Sequence, residues 1–190
     1  RGAGMKSLRE SFEENYEPVE VPCSNRRGFR IRYEYIGPWY QWGEDAVRRK
    51  REKRTIGNAC AVSLMLFLAG STRNLALNYD RYVEFFGMLS AAAFLFEVIG
   101  TVQFCTAKEK VTDMNYSDIN AKLRLAPTVH ALLLLCTAAA CMAAMAGNGV
   151  TVSGLGVTMC YLGAAAASFM IYIRYSRLTL SSLSGKMQTN

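Results

Sequence analysis

Residues 127–147 read PTVHALLLLCTAAACMAAMAG, an apolar run opened by Pro127 and interrupted by a single ionisable side chain, His130. A helix needs about 20 mostly apolar residues to cross ~30 Å of hydrocarbon, and this run has that length with no polar stripe along it. Pro127 suits a first helical turn, where a missing N–H costs nothing. Three more runs of similar character lie around it: 56–77, with Arg73 and Asn74 in its last third; 82–106, containing Glu84 and Glu97; and 150–173, stopped by Arg174 and Arg177. Helices buried in a soluble bundle would each keep one polar face for water, whereas these are apolar or small-residue all round. The long charged segment ahead of the first run rules out a signal peptide there. The expectation is therefore an all-α integral membrane protein: a four-transmembrane-helix bundle at 55–177, a cytosolic segment at 5–54 and a cytosolic tail at 178–190. Arg1-Gly2-Ala3-Gly4 ahead of Met5 is expected to be a tag remnant and is left out of the fold argument.

Charge supports the same topology. Of the Lys and Arg residues, 13 precede position 55, 4 lie in 108–124 and 3 follow position 173, while the two connections on the other side hold only Arg73 and Arg81. With short loops throughout, the positive-inside rule predicts both termini and the middle loop in the cytoplasm. The net charge of +7 is explained by this flanking bias, so nucleic acid is not expected as a partner. The six cysteines form no C-x-x-C pair and five sit in apolar runs, where a thiol acts as a small hydrophobe. No disulfide framework, zinc-ligand spacing or other metal site is expected, and no cofactor.

Small residues recur at four-residue spacing in the fourth run (Gly156, Cys160, Ala164, Ser168), and Ala is dense between Thr137 and Ala146 in the third. Such faces let backbones approach where lipid removes the hydrophobic drive for association, here within one bundle.

The cytosolic segment has its own pattern. Phe29, Ile31, Tyr33 and Tyr35 alternate with Arg30, Arg32 and Glu34, the two-residue period of a strand. Val19-Glu20-Val21 and a turn-like 24–28 precede it, which predicts a β-hairpin. A lone hairpin is marginal in water and must lie against the membrane, a partner or a second copy. Trp39, Tyr40 and Trp42 follow, then Glu44-Asp45 and the basic run Arg48, Arg49, Lys50, Arg51, a helix leading into the first span. Aromatic rings beside cations suit the headgroup layer, and Tyr33, Tyr35, Trp39, Tyr40 and Trp42 together also form a candidate docking surface.

An ionisable residue inside a span is a functional candidate by default. Glu97, just past the middle of the second run, leads. Gln103 sits nearly two turns on, and His130, the only histidine, enters the third run in the same half. Asn58 near the start of the first run is a further candidate for that group. At the opposite end Arg73, Asn74, Arg81 and Glu84 form a second polar group, with snorkelling the simplest account of Arg73. Phosphate-binding glycine loops, H-E-x-x-H and G-x-S-x-G are absent from the sequence, so enzyme function is the least supported class. Two readings survive: a homo-oligomeric transporter or channel with Glu97 in its pathway, and an accessory or scaffold subunit of a membrane complex, docking through the aromatic-basic segment.

Overall fold

The structure is a computed structural model that describes residues 8–22, 28–73, 76–178 and 180–183. It is mostly helical. Among the described residues, four helices are long and apolar enough to cross a membrane: α2 (Ala46–Ser71), α3 (Arg81–Thr106), α4 (Asp113–Asn148) and α5 (Val152–Ser176). A short α1 (Leu8–Asn15) precedes them. The four long helices pack in a ring, with α3 on α4, α4 on α5 and α5 on α2 in extensive contact and a thinner α2–α3 seam closing it. Three of the four starts carry an oxygen cap that satisfies an orphan N–H one turn in. Asp80 accepts from Tyr82 and Val83 N–H, Thr112 from Asn115, and Thr151 from Gly154. Close approach between α2 and α5 depends on glycine. A Cβ on Gly163 would stand 3.0 Å from Leu66 Cδ1, and one on Gly70 would stand 3.3 Å from Cys160 Cβ.

Two helix limits differ from the sequence expectation. Helix α2 stops at Ser71 rather than continuing to 77, and its cap Thr72 sets both its N–H (3.0 Å) and its hydroxyl (2.6 Å) on the Leu68 carbonyl. Arg73 thus lies beyond the helix, and Asn74 lies outside the described residues. A 3-10 turn, Ala76–Tyr79, leads into α3. The second difference is larger. The expected loop at 108–124 is mostly helix, since α4 starts at Asp113 under the Thr112 cap, and Pro127 lies in the helix interior, buried, not in its first turn. Ile119 and Leu123, one turn apart and both buried, give residues 113–124 an inward face that the charges around them obscure. The proline removes the backbone bond that an N–H at this position would make to the Leu123 carbonyl.

The hairpin forms as the alternation predicts. Strand β1 (Tyr16–Pro22) pairs antiparallel with β2 (Phe29–Tyr35), from Tyr16↔Tyr35 to Pro22↔Phe29. A second sheet has no counterpart in the sequence reading. Strand β3 (Trp39–Trp42) lies between β4 (Lys110–Thr112) and β5 (Leu180–Leu183), antiparallel to both, and covers one end of the bundle. Beneath it Trp42 is only 2 % exposed, set edge-on to Phe104 (5.2 Å between ring centroids), which in turn meets Tyr175 (5.6 Å). Trp42, one of the candidate docking residues, is thus part of the core. Cys60, Cys105, Cys136, Cys141 and Cys160 are free thiols, and Cys23 lies outside the described residues.

Candidate functional site

Midway along the bundle each of the four long helices contributes one polar side chain to a single closed cluster. Glu97 comes from α3, His130 from α4, Ser168 from α5 and Ser63 from α2, and all four are 0 % exposed. His130 Nδ1 lies 2.8 Å from Glu97 Oε2, so one proton is held between imidazole and carboxyl. The Ser168 hydroxyl donates to Glu97 Oε1 (3.2 Å) and its oxygen also lies 3.0 Å from His130 Nδ1. Ser63 Oγ stands 2.9 Å from Ser168 Oγ and 3.2 Å from the Ala164 carbonyl. With Nδ1–H on His130, the Ser168 hydroxyl is free to donate to the carboxylate, while the one Ser63 proton serves the Ala164 carbonyl or Ser168 Oγ. The helices reach one another here because Gly100, one turn beyond Glu97, lies against α4, where any Cβ would come within 2.9 Å of Lys122 Cβ.

The far side of the imidazole is apolar. Ring centroids of Phe94 and Phe67 lie 5.0 and 6.4 Å from that of His130, and the buried His130 Nε2 has no hydrogen-bond partner among the described residues. That nitrogen is thus unmatched among the described residues, and a buried unmatched polar atom is costly. Removing either member of the Glu97–His130 pair would leave the other unmatched in a dry interior, typically a loss of about 3–5 kcal/mol. The pair supplies two protein ligands, fewer than a structural metal needs, and among the described residues no three His, Cys, Asp or Glu side chains converge.

The other candidates separate from this centre. Asn58 is exposed on α2 and takes no part in it. Gln103 belongs to a group nearer the sheet, donating to Asp118 Oδ2 (2.9 Å) and accepting from Lys122 Nζ (3.2 Å). At the opposite end Arg73 and Glu84 are exposed, and no ion pair joins them among the described residues; the Arg73 carbonyl accepts from Asn78 Nδ2 (2.7 Å). In the aromatic segment, Tyr40 stacks on Tyr116 (4.7 Å) and Trp39 is half-buried against Tyr35 (5.1 Å). The Tyr35 hydroxyl donates to the Pro38 carbonyl (2.8 Å) and accepts from Asp113 N–H (3.0 Å), which ties the hairpin to the start of α4. Burial pushes the Tyr35 phenol above its ordinary range. Tyr33 stays open to solvent, as do Arg48, Lys50 and Arg51, while Arg49 reaches Glu109 (3.7 Å).

Sequence reasoning named Glu97 and His130 but passed over Ser63, and it read Ser168 only as a small packing residue. A hydroxyl at mid-span on each of two helices was the available signal, though serine is common enough in such helices to carry little weight alone. Compared with protein-family models, curated proteins and solved structures, the chain matches none.

Proposed function

We propose that this is a multi-pass membrane transporter for a small solute or ion, working as a homo-oligomer, with each copy carrying a proton on Glu97 and His130. The observation that supports it is the convergence of one polar residue from each of four apolar helices on a carboxyl–imidazole contact. Ionisable groups are expensive inside a membrane, and a pair sharing one proton is the simplest device for linking proton binding to helix rearrangement. Four fully buried side chains leave no open route for solvent, which favours a gated transporter over a standing channel. A change in the pair's proton count would change the charge and strength of the Glu97–His130 contact and with it the tie between α3, α4 and α5. The excess of Lys and Arg near the sheet end supports a cytoplasmic position for that end.

Proteoliposomes carrying a potassium-set voltage and an internal pH dye test this reading. Wild-type protein is expected to take up protons above the level of empty vesicles, and Glu97→Gln to do so at least tenfold more slowly with its oligomer intact by native mass spectrometry. Equal rates, or no uptake by the wild type, would overturn it.

One observation favours a second reading, an accessory subunit of a larger membrane complex. The hairpin leaves Phe29, Ile31 and Tyr33 exposed on one face, at 40, 53 and 56 %. Under that reading, gentle extraction from native membranes yields a stoichiometric foreign protein that Ile31→Arg releases, and Glu97→Gln changes nothing.

A further inference from the structure

We propose that the cavity beside Trp39, at the sheet end of the bundle, binds the headgroup of an anionic phospholipid. The inference rests on the multi-pass membrane reading. It starts from where charge first appears along the helices. Lys53 of α2 donates to the carbonyls of Cys105 (3.1 Å) and Ala107 (2.5 Å) at the end of α3, and Lys122 of α4 reaches Gln103 one turn before that end. Arg174 of α5 pairs with Glu52 of α2 (3.5 Å), one residue from Lys53. The three cations thus mark one level across the bundle, where apolar helix surface gives way to charge, and in a bilayer that level is the headgroup layer.

A partly enclosed cavity of ≈ 450 Å³ opens at this level, between the last turn of α3, strand β4 and the first turns of α4. Trp39, Gln103, Lys108, Lys110, Asn115 and Asp118 contribute to its wall. Its electrostatics favour an anion. Asp118 is already matched, bonded by Lys122 Nζ (2.6 Å) and Gln103 Nε2 (2.9 Å), and the Lys122 bond above all holds its carboxyl below the ordinary 3.8. Lys108 and Lys110 are exposed and make no ion pair among the described residues, so the cavity's unspent charge is positive. Two ammonium groups suit a phosphodiester, Asn115 can donate to glycerol or phosphate oxygens, and the half-buried Trp39 ring offers the amphipathic surface that indoles present at bilayer interfaces. Basic pockets beside membrane helices recognise anionic headgroups on these terms, and at this depth a lipid is the phosphate source present at the highest local concentration.

The test is native mass spectrometry of the full chain in detergent, titrated with phosphatidylglycerol or phosphatidylcholine. Wild-type protein is expected to retain phosphatidylglycerol in preference. The double variant Lys108→Gln/Lys110→Gln should bind it about 30-fold more weakly, and each single variant about 5-fold, from the usual contribution of a cation near a membrane surface. Arg177→Gln removes a cation at the same end but outside the cavity and should change binding less than twofold. Both lysines are exposed, so melting temperature should not move, and the single variants carry the test if the double one unfolds. Undiminished phosphatidylglycerol binding by the lysine variants overturns the proposal. So does an equal loss in Arg177→Gln, which would mean diffuse charge, or equal binding of glycerol 3-phosphate, which would mean a soluble ligand. Failure of the chain to fractionate with alkali-washed membranes would instead sink the membrane reading beneath it.

Discussion

Strands β2 and β3 are separated by residues 36–38 alone, share an aromatic-rich composition, and end in opposite environments. Tyr33 in β2 is 56 % exposed and Trp42 in β3 is 2 % exposed. The difference lies in their partners. β2 pairs only with β1, its neighbour along the chain, and the resulting two-stranded ribbon is met on its aromatic face by the short α1, whose Phe12 stacks on Tyr16 (4.5 Å) and lies edge-on to Tyr33 (5.4 Å), a cover that leaves Tyr33 exposed. β3 pairs on one edge with β4 and on the other with β5, both far away in sequence, and these bring it over the ends of α3 and α5. Aromatic density is thus no guide to exposure in this molecule. A strand's burial follows from the elements that reach it, because a pleated ribbon buries a face only when another layer covers it.

Three substitutions sharpen this contrast. Trp42→Ala should have the largest effect, about 3–5 kcal/mol of stability, since it empties a packed site against Phe104. Thermal unfolding in detergent, followed by circular dichroism, reads it directly. A melting temperature within a degree or two of wild type would mean that the β3 sheet is not integral to the bundle. Tyr35→Phe should come next, at about 1–2 kcal/mol, by removing the hydroxyl shared by Pro38 and Asp113. Its effect is expected locally, as faster protease cleavage of the hairpin with global melting little changed. Tyr33→Ala should cost within about 0.5 kcal/mol, the usual value for an exposed side chain. A loss as large as that of Trp42→Ala would erase the distinction, by showing that the hairpin face is packed as closely as that of β3.

Much of the fold is legible in the residues themselves. The four apolar runs, the hairpin alternation and a helix beginning after Asp45 all appear where their residues placed them, because each depends on a local pattern: run length, period two, or a capping side chain. The misplaced limits have local causes too. Arg73 looked like part of the first span because apolar residues follow it, and Pro127 looked like a helix start because the residues before it are charged. In each case hydropathy was read as the helix limit, although α2 ends at Ser71 within an apolar run and the buried Ile119–Leu123 pair gives α4 a packed face ahead of Pro127. Strands of three and four residues such as β4 and β5 carry too little pattern to be read at all.

By itself, the sequence determined that there are four long apolar helices, where each approximately lies, and that a carboxyl and an imidazole fall within them. Tertiary structure alone decided that Glu97 and His130 touch, that Ser168 and Ser63 join them across separations of 71 and 105 residues, and that Trp42 is core while Tyr33 is not. The physical reason is the uniformity that made the helices recognisable. A helix apolar on every side has no polar stripe to mark its inward face, so its rotation and register against its neighbours are settled by close packing, as at Gly70, Gly100 and Gly163, and by whichever polar atoms can then find one another.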